Sequence, residues 1–171
     1  MKSRSGYDII ILIIWKGYRS GFLVGAYKLT QQEADEMISM LKHTLEDIVN
    51  IPERGKKTSF QVEGTSKRDN FTIQIFRGAI NRLKYNIGAR ITVAGILLLE
   101  LHINPSSKHT NPDGSTIIGS HWHIYSEQYG RSFAVEAEDI QSDQFIENTL
   151  LLLKRFNVVE CPDFQMQVEL V

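Results

Sequence analysis

His121-Trp122-His123-Ile124-Tyr125-Ser126-Glu127 places two imidazoles, a phenol and a carboxylate at alternate positions, with Trp122 and Ile124 between them. Successive side chains of a strand point to opposite faces, so His121, His123, Tyr125 and Glu127 are expected on one face and Trp122 and Ile124 on the other. His109 and the turn sequence Asn111-Pro112-Asp113-Gly114 come just before. Two chemistries suit these residue types. Imidazoles at i and i+2 can chelate one ion, with His109 or Glu127 completing a three-ligand site that keeps a position for water. Without a metal, one histidine can take a proton from a 2′-hydroxyl while a second, protonated, assists the leaving group.

The elements around this segment read as a single α+β domain, a mostly antiparallel meander sheet packed by two helices. Thr30-Gln31-Gln32-Glu33 fits a capping box, and Ala34, Met37, Ile38, Leu41, Leu45 and Ile48 predict one amphipathic helix over about 31–49. Short β-rich runs follow at Ser59–Glu63, Phe71–Phe76, Ala79–Tyr85, Arg90–Val93 and Ile96–His102, broken at Gly64, Gly78, Gly88 and Gly95. Residues 103–119 read as a long polar loop, expected to fold over the H-x-H strand and bring His109 to His121 or His123. Arg131–Ala137 is expected as that strand's partner. A second helix is predicted over 143–156, capped by Ser142, with Phe145, Thr149, Leu152, Leu153 and Phe156 inward, and Gln165–Leu170 as a last strand.

Composition narrows the class. The 171 residues, 42% of them hydrophobic, suffice for one core. A formal net charge of -1 means that a nucleic-acid surface would have to be a local basic patch. Cys161 has no partner for an internal disulfide and reads as a small buried residue; His43, inside the first helix, reads as a surface or packing residue. The apolar run Ile9–Trp15 is far shorter than the roughly 20 residues of a membrane span and lacks a signal-peptide pattern, so it is expected as a strand paired with Gly21–Tyr27, in a cytoplasmic protein. Residues 1–28 are thus expected as an N-terminal extension and 29–171 as the domain. No Walker loop, G-x-G-x-x-G, C-x-x-C or helix-turn-helix pattern is present.

Leu29-Thr30-Gln31-Gln32-Glu33-Ala34-Asp35, Arg77-Gly78-Ala79-Ile80-Asn81, Lys84-Tyr85, Arg90, His109-Thr110-Asn111-Pro112-Asp113-Gly114, Gly119-Ser120-His121-Trp122-His123-Ile124-Tyr125 and Tyr129-Gly130 carry a family likeness. Over about Leu29 to Asn157 the chain resembles small bacterial and prophage-encoded proteins known only as a domain of unknown function. Where that pattern suggests Arg-Leu-Asp near 100–102, this chain has Glu100-Leu101-His102. The resemblance implies the domain boundaries and the site, and no activity.

A mobile-element setting suits a small RNA-cleaving or RNA-binding protein. In that expectation His109, His121, His123 and Tyr125 form the catalytic group and Arg77, Lys84 and Arg90 bind phosphate, with Arg82 and Lys84 sharing a face and no cofactor required. One alternative is a non-enzymatic protein that binds a macromolecular partner, as a counter-defence or toxin–antitoxin component. The other is a metal-dependent H-x-H enzyme with its ion at His121 and His123.

Overall fold

The computed structural model describes residues 28–66, 68–138 and 140–166. The strands expected at 9–15 and 21–27 lie outside them. Among the described residues no helix is long and apolar enough to cross a membrane.

The chain forms an α+β domain built on an eight-stranded sheet. In chain order its strands are β1 (Lys42–Thr44), β3 (Lys57–Glu63), β4 (Asn70–Arg77), β5 (Tyr85–Ile91), β6 (Leu97–Ile103), β9 (His121–Ile124), β10 (Ala134–Glu136) and β11 (Val158–Glu160). Their spatial order is β10-β9-β6-β5-β4-β3-β1-β11, antiparallel except for the β1–β11 pair. A second pair, β2 (Ile48–Ile51) and β12 (Asp163–Met166), is parallel. A hairpin, β7 (Lys108–Thr110) and β8 (Thr116–Ile118), stands apart.

Alternation divides the sheet into two unlike faces. Phe71, Ile73 and Ile75 on β4 sit opposite Ile91, Ala89 and Ile87 on β5, and Leu99 and Leu101 continue the same face onto Ile124 and Trp122. Helices α1 (Gln31–Ser39) and α2 (Phe145–Arg155) supply Ala34, Met37, Leu152 and Leu153 to this core. Trp122 is therefore core, as the alternation requires, and Ile124 packs against it. The opposite face carries Asn86, Glu100, His102, His121 and His123.

The capping box at Thr30 is present: its hydroxyl accepts from Glu33 N and the Glu33 carboxylate accepts from Thr30 N. The helix ends at Ser39, ten residues short of the expectation. Leu41, Leu45 and Ile48 continue the helical spacing but are each 52% exposed, because the chain here enters β1 and β2 instead. The side chain that is buried is Lys42, at 0% exposure. Its ammonium donates to the carbonyls of Ile38 in the last turn of α1, of Met40 just after it and of Phe156 after α2, at 3.0, 2.8 and 2.7 Å. It also lies 4.0 Å from the Phe156 ring centre. One cation thus satisfies orphan carbonyls at two helix C-termini, where a positive charge is favoured.

Other differences have local causes. Residues 79–84, expected as a strand, form a turn in which Gly78 N donates to Lys84 O and Lys84 N to Asn81 O, leaving Ile80 96% exposed. A Cβ on Gly78 would lie 2.7 Å from Lys84 O, so the turn needs glycine there. Arg82 and Lys84 therefore do not share a strand face. The strand expected at 90–93 is the end of β5 and a tight turn closed by Gly95 N to Ile91 O. The second helix is capped at Gln144, not Ser142, and without a side-chain bond. His43 lies in β1 opposite Glu63 and Glu160, and Cys161, expected buried, is exposed.

Burial lowers the Lys42 pKa to about 7, against a smaller opposing pull from Asp69. Because the folded value lies below the unfolded one of 10.5, the unfolded chain holds the extra proton between them, and stability rises with pH from about 7 towards 10. Lys42→Met leaves three carbonyls unsatisfied and is expected to cost about 1.5–3 kcal/mol at pH 7. In urea titrations from pH 6 to 10 the rise specific to Lys42 is expected to vanish in the variant. An unchanged midpoint and profile would contradict this role.

Candidate functional site: a roofed histidine cluster

The register of β6 against β9 builds the site. Glu100 sits opposite His123 and His102 opposite His121, so four polar side chains of two neighbouring strands meet on the face away from the helices. His121 and His123 are 3% and 4% exposed, yet they belong to the polar face rather than to the apolar core.

What buries them is the segment expected as a loop. Residues 108–118 form the β7–β8 hairpin, turned by Asn111-Pro112-Asp113-Gly114 with Gly114 at φ 88°. Asp113 Oδ1 accepts from Ser115 N and Oγ and fixes that turn. Asn111 is itself buried and clamps the hairpin to β10: its amide nitrogen donates to Ala134 O at 2.9 Å and its oxygen accepts from Ala134 N at 2.7 Å. The same oxygen lies 3.1 Å from His109 Nε2, and Ser132 O lies 3.2 Å from that nitrogen. Both partners are acceptors, so Nε2 carries the proton and Nδ1 keeps the lone pair. This brings His109 into the cluster, with ring centres 5.0 Å from His121 and 4.9 Å from His123. His102 completes it, 5.1 Å from His121 and 4.7 Å from His123, and the last two rings are 5.0 Å apart.

Electrostatics keep the inner imidazoles neutral. Burial pushes the His123 pKa down to about 4, and the crowding of His102, His121 and His109 further opposes a charge there. Burial also lowers that of His121, although Gly119 O, accepting from its Nδ1–H at 2.9 Å, pulls the other way. That bond leaves His121 Nε2 with its lone pair. Burial alone would raise the Glu100 pKa. The adjoining His102, the Asn86 amide and the Arg131 charge outweigh it and hold the carboxyl at about 2. Asn86 Nδ2 donates to Glu100 Oε1 at 2.8 Å, while His102 Nε2 and Arg131 lie 3.1 and 3.6 Å from Oε2. The His102 approach is a close contact rather than an aligned hydrogen bond, and Glu100 Oε2 and His123 Nδ1 are buried without hydrogen-bond partners.

The other expected site residues are dispersed. Tyr125 follows the end of β9 and its hydroxyl donates to Leu29 O at 2.6 Å, so it is committed to the start of α1. Glu127 accepts from Gln31 N at that helix's N-terminus and is not a ligand candidate. Arg77 shares the helix-packed face, donating to Pro52 O with its guanidinium over Phe145. Arg90 lies on the histidine face but donates to Gln74 Oε1. Only Lys84 reaches the cluster's surroundings: it lines a cleft of about 360 Å³ whose wall includes His102, His109 and His121. Sequence reasoning missed Glu100, His102, Asn86 and Arg131. The signal was the alternation Leu99-Glu100-Leu101-His102-Ile103, an acid and an imidazole on one face of an otherwise apolar strand.

Residues 29–158 match a family of unknown function, DUF6978. The chain belongs to that family. No curated protein and no solved structure matches it. The matched span contains both helices, the histidine cluster and its roofing hairpin, and stops at the first residue of β11.

One ring nitrogen from each of His102, His121 and His123 lies within 4.8 Å of the others. Ligands about 2.0–2.1 Å from a tetrahedral ion are roughly 3.4 Å apart, so rotations that draw the rings in by about 1 Å would close the set. Neutral imidazoles oriented by a carbonyl and a carboxylate are the form a transition metal takes.

The two sheet faces separate stability from chemistry. Trp122→Ala is expected to cost about 3–5 kcal/mol, whereas His121→Ala/His123→Ala should cost about 1–2 kcal/mol and keep cooperative unfolding. Asn111→Ala removes a buried pair of bonds and is expected to speed amide exchange at Ala134. Equal losses from the tryptophan and histidine variants would contradict this division.

Proposed function

We propose that the protein is a metal-dependent enzyme of hydrolytic type, with a transition-metal ion held by His102, His121 and His123. The observation that carries this reading is the convergence of one ring nitrogen from each of three histidines, and beside it the His123 Nδ1 is buried without a hydrogen-bond partner. All-nitrogen donors on a buried site suit zinc or a neighbouring first-row metal better than magnesium or calcium, which take oxygen ligands. The carboxylate of Glu100 beside His102 is the outer partner that such ligands use. Three protein ligands leave a position for water, which an ion of this kind makes acidic enough to attack at neutral pH. His109, with a free Nδ1 lone pair on the cleft wall, is placed to take the proton.

Metal-free RNA cleavage draws support from Lys84, His109 and His121 on one cleft. Against it weigh the depressed basicity and burial of His121 and His123 and the distant commitments of Tyr125, Arg77 and Arg90. An acid–base pair for this reaction works best with pKa values near 7 and open access to substrate.

Zinc titration of metal-free protein is expected to give one site per chain, lost in His121→Ala/His123→Ala and weakened about 10–100-fold by Glu100→Gln. Mixed RNA incubated with and without chelator separates the two chemistries. No metal uptake, together with chelator-resistant cleavage that the double variant abolishes, would replace this reading with the metal-free one.

A further inference from the structure

The cleft beside the cluster has a chemical character of its own. Its apolar wall is the half-buried Phe76 ring, and its charged residues other than histidine are Lys84 and Lys108. No carboxylate lines it. Both lysines are exposed, and among the described residues neither ammonium group has an ion-pair or hydrogen-bond partner. They come from separate elements, Lys84 from the turn before β5 and Lys108 from the start of β7. Of the neutral donors nearby, Asn86 donates to Glu100 and Ser107 Oγ is engaged with the carbonyls of Asn104 and Gly119. The cationic donors that this wall offers are therefore two ammonium groups, in a chain whose overall charge is -1.

We infer that the cleft binds a small molecule carrying an oxyanion, a carboxylate or phosphate, seated by Lys84 and Lys108 with its apolar body against Phe76. The inference rests on the metal reading for what happens next: the anchored molecule presents its reactive bond to the imidazoles. A volume of about 360 Å³ is at the small end of ligand pockets, which run roughly 300–1,000 Å³. An extended polynucleotide would need a track of free cations, and Arg77 and Arg90 are committed elsewhere.

Calorimetry with zinc-loaded protein tests this, using phenyl phosphate in one arm and benzoate in the other to separate the two oxyanions. At least one is expected to bind once per chain, and more weakly as salt is raised. Lys84→Gln/Lys108→Gln should cut the affinity tenfold or more with zinc content and melting temperature unchanged, and Lys84→Arg/Lys108→Arg should retain it. Normal zinc loading with no binding of either anion, or binding indifferent to the lysines, would overturn the inference. So would lysine-dependent binding of a long oligonucleotide alone. Loss of zinc binding strikes the metal reading instead, and lysine-dependent anion binding by zinc-free protein would still uphold the anchor.

Discussion

The buried carboxylate of Glu100 is the charge around which the histidine face is organised. It is 5% exposed and held ionised, so partners must compensate its lost hydration. Those partners are Asn86 on β5, His102 on β6 itself and Arg131 beyond β9. Satisfying one charge therefore ties two strands and a connecting segment together. It also biases the site towards positive charge: neutral imidazoles beside a fixed anion are a natural seat for a cation.

The sheet solves two problems with its two faces. The helix-packed face carries the apolar area that stabilises the fold, from Phe71 through Leu101 to Trp122. The other face would leave histidines and a carboxylate in water, where imidazoles titrate freely and ligands compete with solvent. The hairpin 108–118 removes that water, and Asn111 fastens it to β10 while holding His109 by the same oxygen. The roof and the placement of His109 thus share one side chain.

Local signals with short reach were legible in the sequence. The capping box at Thr30, the H-x-H alternation, the second helix and the Asn-Pro-Asp-Gly turn each depend on a few adjacent residues. The failures lie where a distant partner decides. Leu41, Leu45 and Ile48 keep helical spacing, but β11 and β12 draw that stretch into strands. Glu100 and His102 hide in a leucine-rich run that reads as core until β9 is laid beside it. Arg77 belongs to the core parity of β4, which separates it from the imidazoles by the thickness of the sheet.

The parallel pairings of β1 with β11 and β2 with β12 have a consequence for biosynthesis. Lys42 lies beside Val158, and Ile48 beside Asp163, so each contact joins segments more than a hundred residues apart. Non-local pairings of this kind slow folding. Until the ribosome has released residues 158–166, β1 is an unguarded edge and the Lys42 ammonium lacks the Phe156 carbonyl. The nascent chain can assemble its antiparallel strands beforehand, but it must carry an open flank until the last of these segments emerges.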